Sequence, residues 1–303
     1  MITRLWNKFS ETYWQYKFSG SNVRISNSDG FVIGKGSTIQ NSNVFVGRDA
    51  CFFIGAHCIL KNVDIYIEKG CVIIDDYAIL ISEKPINKAM YIISNGNFHV
   101  NHHTKIQCDR VWIRFGGNVE IGSYTNINSG SEIRSDESVI IGSYNQISYD
   151  VNIWDTNTHT IYKSEKRSEI TRKYFPYFGY EIEKPLTSPI VVGDNCWIGH
   201  EALIFGAAGS KIEMKPYSKI SSRAIVVTGD HDYGIQYDNI AGPGRCADIT
   251  IGKGACVGAQ AMVCPGKTIG EKAHVAAYSV VTHDVPPFVR VAGVPAKIIK
   301  EFK

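Results

Sequence analysis

Aliphatic residues return every six positions along most of the chain. The pattern is clearest from Ile251-Gly252-Lys253-Gly254-Ala255-Cys256 and Val257-Gly258-Ala259-Gln260-Ala261-Met262 onward, through Val263, Ile269-Gly270 and Val275-Ala276. The first residue of each sextet is aliphatic, the second mostly Gly or Ala, and the fifth usually Ala or Ser. The same phrase recurs at Ile33-Gly34, Val46-Gly47, Ile54-Gly55, Ile121-Gly122, Ile141-Gly142 and Val192-Gly193. A period of six excludes a helical stripe, which needs spacings near 3.6. It predicts coils of three short strands, each turning one aliphatic and one small residue inward, with Gly after the aliphatic supplying turn geometry. Such coils stack into a solenoid in which each contacts only its neighbours. Cys58, Cys71 and Cys196 fall at the small fifth position and read as small buried hydrophobes.

The ends and the breaks in the period define the remaining organisation. Ile2, Leu5, Trp6, Phe9, Tyr13 and Tyr16 lie at helical spacing, so an amphipathic helix within residues 1–20 is predicted to cap the open end of the solenoid. A membrane-surface helix is the alternative, against which stands a polar face with few Lys or Arg. The solenoid is predicted over 21–285, with loops or degenerate coils at about 82–110, 160–189 and 233–247. Residues 286–303 form a closing segment. Eleven or twelve coils at about 4.8 Å each give a body on the order of 50 Å long.

Composition narrows the function classes. The 303 residues carry 32 Lys+Arg against 29 Asp+Glu, so the net charge of +3 supplies no electrostatic reason to expect nucleic acid or a membrane surface as partner. Charged residues at 20% and hydrophobic ones at 44% exclude a disordered chain. No stretch approaches the roughly 18 apolar residues of a transmembrane segment, and the N-terminus lacks an apolar signal core. A cytoplasmic protein is the resulting expectation. The eight Cys include no C-x-x-C pair, which disfavours zinc ribbons and redox motifs.

Two histidines sit where coils break into loops. His159 lies in Asp155-Thr156-Asn157-Thr158-His159-Thr160-Ile161-Tyr162, at the start of a long loop rich in aromatics and in Lys and Arg, among them Lys166 and Arg167. Imidazole is the natural base near neutral pH, and Asp155 or Asn157 is placed to fix its tautomer. His231, in Thr228-Gly229-Asp230-His231-Asp232-Tyr233-Gly234, is the rival. His57 and His200 fall at turn positions, while His274 and His283 belong to the closing coils. His99, His102 and His103 cluster, but no orienting partners for metal-bound imidazoles are evident, and no metal is expected.

The sextets resemble the hexapeptide-repeat, left-handed parallel β-helix acyltransferases, and most of all the bacterial polysaccharide and sugar O-acetyltransferases. The resemblance covers most of residues 31–285. It extends to Val291-Ala292-Gly293-Val294-Pro295-Ala296-Lys297-Ile298-Ile299-Lys300, which is similar to the closing segment of sugar acetyltransferases. It implies an all-β, left-handed solenoid that assembles as a homotrimer with acetyl-CoA as co-substrate and a sugar or polysaccharide as acceptor. His159 then stands as the base. Trp197, in Cys196-Trp197-Ile198-Gly199, lines the thioester site across the subunit boundary, with Gly199 beside it. Lys297 and Lys300 match positions near the nucleotide phosphates, and Tyr162, Lys166 and Arg167 fall to the acceptor. Several relatives have Asp two residues before the His, where this chain has Asn157. The related γ-type carbonic anhydrases bind a metal through three His, at a spacing not found here. The other readings are an N-acetyltransferase for a nucleotide-linked amino sugar, whose usual N-terminal α/β domain has no room in the first 30 residues, and a non-catalytic structural solenoid.

Overall fold

The computed structural model describes residues 18–157, 164–176, 183–207, 209–229 and 246–302. Within these the chain winds into a parallel β-helix with three faces. The first face includes Asn22–Ile25, Arg110–Ile113, Glu132–Ser135, Asn152–Trp154, Leu203–Phe205 and Ile225–Val227. The second includes Gly117–Ile121, Ser138–Ile141, Ile190–Val192, Ile212–Met214 and Ile249–Ile251. The third runs from Thr38–Gln40 through Gln146–Ile147, Trp197–Ile198 and Lys219–Ile220 to Val289–Ala292. Two 12-residue strands, Asn43–Ile54 and Val63–Ile74, pass unbroken around the corner between the first two faces and join them into one 19-stranded sheet.

Alternation along each strand builds the core. On the second face Val119, Ile121, Val139, Ile141, Ile190 and Val192 are buried, while Glu120, Ile140 and Val191 point outward. Aliphatics stacked coil on coil fill a narrow prism, which is what the period of six records. Where the small fifth position is polar, its side chain is satisfied by the next coil: Thr125 Oγ1 donates to the Gly142 carbonyl at 2.9 Å, and Asn145 Oδ1 accepts from the Cys196 N–H at 2.6 Å.

The structure corrects three of the sequence expectations. The glycine after each aliphatic does not supply the turn. At Gly258 the backbone is ordinary, but a Cβ would lie 2.6 Å from Ala277 N and Val275 O of the next coil, so only glycine fits between coils. The left-handed residue comes two positions later, at Gly254, Gln260, Gly266, Lys272 and Tyr278. Second, Cys71 is not a buried hydrophobe. Val72 and Ile74 take the inward positions of their strand, so Cys71 faces outward, half-buried and disulfide-bonded to Cys51 of the neighbouring coil; Cys58 and Cys196 are buried as expected. Third, of the loop or degenerate coils expected over 82–110, a loop is confined to the first residues and the rest is coil. Strands Ala89–Ile93, Gly96–Val100, Lys105–Ile106 and Arg110–Ile113 continue the coils, with Tyr91 and Phe98 filling the core in place of aliphatics at 5.9 Å between ring centroids.

The end of the chain is a hairpin: Lys297–Glu301 pairs antiparallel with Val289–Ala292. The helix expected within 1–20 and the loop at about 233–247 fall almost wholly outside the described residues.

The contrast between the two turn positions is testable. Gly258→Ala is expected to cost about 1–3 kcal/mol from overpacking between coils. Gln260→Gly, at φ 56°, removes left-handed strain and leaves stability within about 1 kcal/mol of wild type. Thermal midpoints of the two variants decide it; equal losses would refute this account of the repeat.

Candidate active site

Among the described residues, the corner between the first and second faces carries the buried charged groups, Arg114, Asp136 and Asp155. Asp155, at the end of strand Asn152–Trp154, is fully buried. Its Oδ1 accepts from the Asp136 N–H at 2.8 Å, and its Oδ2 accepts from Ser135 Oγ at 2.7 Å and from the N–H groups of Glu137 and Ser138 at 3.0 and 2.6 Å. The carboxylate therefore closes the turn of the preceding coil. Beside it Asp136 is held by the Arg114 guanidinium through two bonds of 2.9 and 2.7 Å, and accepts from Thr156 Oγ1 at 2.6 Å.

These contacts root the long insertion. The Asn157 N–H donates to the Leu186 carbonyl at 3.1 Å, the Ser188 N–H donates to the Asp155 carbonyl at 2.7 Å, and Thr156 bridges Thr187 antiparallel. Thr187 Oγ1 also donates to Glu137. A second stem lies two coils along the same corner, where the Ala247 N–H donates to the Thr228 carbonyl at 3.0 Å. Ser188, Ser210 and Thr228 link the two stems internally, at 2.9 Å between Ser188 Oγ and Ser210 Oγ and 3.5 Å from Thr228 Oγ1 to Ser188 Oγ. Both histidine-bearing segments start from this one corner: His159 follows Asn157 by two residues, and His231 follows Gly229 by two. His159, Tyr162 and His231 themselves lie outside the described residues.

Inside the insertion, Ser164–Tyr174 forms a helix with Glu165 in its first turn and Arg172 and Lys173 in its last, charges that complement the helix dipole. Lys166 and Arg167 are exposed on it and Ile170 is buried. Just outside the corner, the first face carries a ladder of rings and guanidinium groups. Arg134 lies 5.5 Å from the Trp112 ring centroid and 4.5 Å from that of Trp154. Glu132 bonds both Arg110 and Arg134, and although burial pushes its carboxyl up, these two partners hold it below the usual range. The sequence reading missed this ladder, because its members stand some twenty residues apart and become neighbours only once the coil length is known.

The remaining candidates lie on the third face. Trp197 is 40% exposed there, flanked in register by Gln146 and Lys219. Gly199 follows at the next turn, where a Cβ would meet Ser222 N at 2.5 Å. Lys297 and Lys300, both exposed, belong to the hairpin strand that ends this face, five strand spacings or about 24 Å beyond Trp197. The structure thus brings Asp155, Asn157 and the two stems together at one corner. Within one chain it sets Trp197, Gly199, Lys297 and Lys300 apart, on the face opposite that corner. Among the described residues no three His, Cys, Asp or Glu side chains converge as a metal site, and no helix is long and apolar enough to cross a membrane.

Comparison with known proteins gives relatives of one kind. No protein-family model matches the chain. It is 27% identical over 157 residues to the candidate acetyltransferase YJL218W of Saccharomyces cerevisiae, covering 50% of this chain and 79% of that one. It is 30% identical over 112 residues to the candidate colanic acid biosynthesis acetyltransferase WcaF of Escherichia coli, covering 37% and 58%. Over 53 residues it is 45% identical to the galactoside O-acetyltransferase of Escherichia coli, covering 18% of this chain and 26% of that one. The chain therefore spans little over half the length of WcaF.

Asp155 gives the corner a pH signature. Burial pushes its carboxyl from the ordinary 3.8 up to about 6, against the downward pull of the Asp136 N–H, the Ser135 hydroxyl and the Glu137 N–H. The folded chain thus holds this proton more tightly than the unfolded chain. The associated stability is fully present below about pH 4 and is lost as pH rises through about 6, by up to about 3 kcal/mol. Asp155→Asn removes that slope and, by setting an amide NH₂ against backbone N–H donors, destabilises by about 1–3 kcal/mol. Denaturant midpoints of both proteins across this interval check the sign; parallel curves would exclude it.

Proposed function

We propose that this chain transfers an acetyl group from acetyl-CoA to a sugar hydroxyl of a bacterial surface polysaccharide or its precursor. The observation that carries the reading is the pair of hydrogen-bonded stems at one corner of a parallel β-helix, each leading within two residues to a histidine. The acetyltransferase descriptions of the relatives support the reaction class, and those of WcaF and the galactoside enzyme support a saccharide acceptor.

In this mechanism His159 takes the proton of the acceptor hydroxyl as its oxygen attacks the thioester carbonyl. The tetrahedral intermediate then collapses, the C–S bond breaks, and the CoA thiolate leaves with the proton held by the imidazolium. The oxygens of Asp155 are engaged by the 135–138 turn, so Asn157 is the nearby side chain assigned to orient the ring. Lys166 and Arg167, exposed on the insertion helix, face the acceptor together with Tyr162 in this reading. Trp197 and Gly199 shape the thioester pocket, and Lys297 and Lys300 lie toward the CoA phosphates.

Trp197 is on the face opposite the stems, so the site requires a corner from one copy and a third face from another. The homotrimer implied by the resemblance to the hexapeptide-repeat acyltransferases supplies both. The outer side of the first face supports self-association: Leu203, Phe205, Ile225, Val227, Met262 and Val280 form a run of apolar side chains there. His231 remains the alternative base because its stem stands on the same corner.

The test is acetyl transfer from labelled acetyl-CoA to bacterial polysaccharides and nucleotide sugars. His159→Ala is expected to lower kcat by about 10²–10⁴-fold, as for loss of a general base, with His231→Ala affecting it far less. Subunits carrying His159→Ala, co-assembled with subunits carrying Trp197→Ala, should recover about a quarter of wild-type activity, since one interface in four pairs two intact halves. The reverse histidine result moves the base to His231, and no recovery on mixing rules out the shared site. A wild-type protein that neither binds nor uses acetyl-CoA overturns the enzyme reading.

A further inference from the structure

Between the second and third faces the left-handed turn position is filled in five successive coils by His57, Tyr77, His103, Tyr124 and Tyr144. Their rings form one column. Successive centroids are 5.0, 4.8, 5.0 and 5.2 Å apart, with planes inclined by 7° to 24°. Gly36 closes one end, where a Cβ would lie 2.6 Å from His57 Nδ1, and Asn195 takes the same turn position at the other. The fold does not require rings here, since Gly254 and Lys272 occupy the equivalent position in later coils. Tyr77, Tyr124 and Tyr144 are 48%, 45% and 56% exposed. With their faces covered by one another, the rings present their edges to solvent, one per coil, with phenol hydroxyls at Tyr77, Tyr124 and Tyr144.

Beside the column is an open cleft of about 450 Å³ lined by Asp75, Asp76, Tyr77, His102 and His103, within the usual size range of ligand sites. Asp75 Oδ2 lies 3.1 Å from His99 Nε2, and Asp76 Oδ1 accepts from the Ala56 N–H at 2.6 Å. His102 stands edge-on to Tyr124 at 5.4 Å. Aromatic edges, hydroxyls, imidazoles and carboxylates thus meet along this corner.

We infer that this corner is a docking rail for an extended, uncharged glycan, a deepening of the polysaccharide acetyltransferase reading on which it rests. The 4.8–5.2 Å repeat is set by the stacking of coils. It matches the advance of one sugar ring in a chain of pyranoses joined through equatorial bonds, so that each sugar meets one coil. Sugar hydroxyls exchange hydrogen bonds with the tyrosine hydroxyls and donate to the carboxylates of the cleft. The same carboxylates repel a nucleic acid or a polyanionic chain. The rail holds a polymeric acceptor outside the reacting site, on the far edge of the second face from the two stems.

Calorimetric titration of the full chain with cellobiose, cellotetraose and cellohexaose tests this, with maltohexaose, whose axial bonds curl the chain, as the control of shape. Affinity is expected to rise with length for the cellulose-derived series and not for maltohexaose. The triple variant Tyr77→Phe, Tyr124→Phe, Tyr144→Phe keeps the stacked column and removes the hydroxyls. It should bind cellohexaose at least about tenfold more weakly with an unchanged thermal midpoint. No binding of cellohexaose by wild type, equal binding of maltohexaose, or unchanged binding by the triple variant overturns the rail. Acetyl-CoA binding, measured on the same samples, reports separately on the acetyltransferase reading and is expected to be unaffected by the three substitutions.

Discussion

Each coil of this protein has its backbone hydrogen bonds completed by the coils above and below it. The Gly122 N–H donates to the Ile141 carbonyl at 2.7 Å, the Gly142 N–H to Val192 at 2.7 Å and the Gly193 N–H to Met214 at 2.8 Å. That ladder fixes how closely successive coils approach. The approach in turn dictates glycine after the aliphatic, a small or self-satisfied residue at the fifth position, and like side chains stacked on like. Coupling runs only between neighbours, so stability accumulates coil by coil rather than from one central core. Insertions are tolerated at a corner provided their roots return to the ladder, and the Asp155–Asn157 and Leu186–Ser188 pairing does this.

The corner holding both stems shows how the fold places chemistry. Arg114, Asp136, Asp155, Thr156, Ser188, Ser210 and Thr228 are buried there, and among the described residues the other corners bury polar side chains but no charged ones. A polar set of this kind is tolerable only when every member finds partners, and once satisfied it rigidifies what it touches. The rigid roots start both insertions from one edge of the prism. The exposed Trp197 and the terminal lysines stand on the opposite face. In the proposed reaction, a single chain therefore displays the two halves of the site facing away from each other.

The sequence carried the coil architecture, because a strict period of six has no other simple packing. What it hid follows from the same geometry. Gly258 reads equally well as a turn residue or a point of close approach, and only the position of Ala277 in the next coil distinguishes the two. Cys71 is in phase with the small inward positions of the sextets, but a 12-residue strand rounds its corner without the usual turn, and Val72 and Ile74 face in instead. Tyr91 and Phe98 break the aliphatic pattern over 82–110 while filling the same space. Asp155 was legible as a residue next to the candidate base; its engagement with the 135–138 turn was not, because the two segments are about one coil apart in sequence.

The antiparallel hairpin at the end of the chain bears on how the protein behaves in a crowded solution. An open stack of parallel strands is a template onto which another stack can add, end to end. Strand Lys297–Glu301 runs the wrong way for that continuation on the third face. It is exposed along its whole length and presents Lys297 and Lys300 at its rim. An approaching solenoid meets reversed hydrogen-bonding polarity and two ammonium groups, so this strand does not offer the parallel continuation that the other coils offer one another.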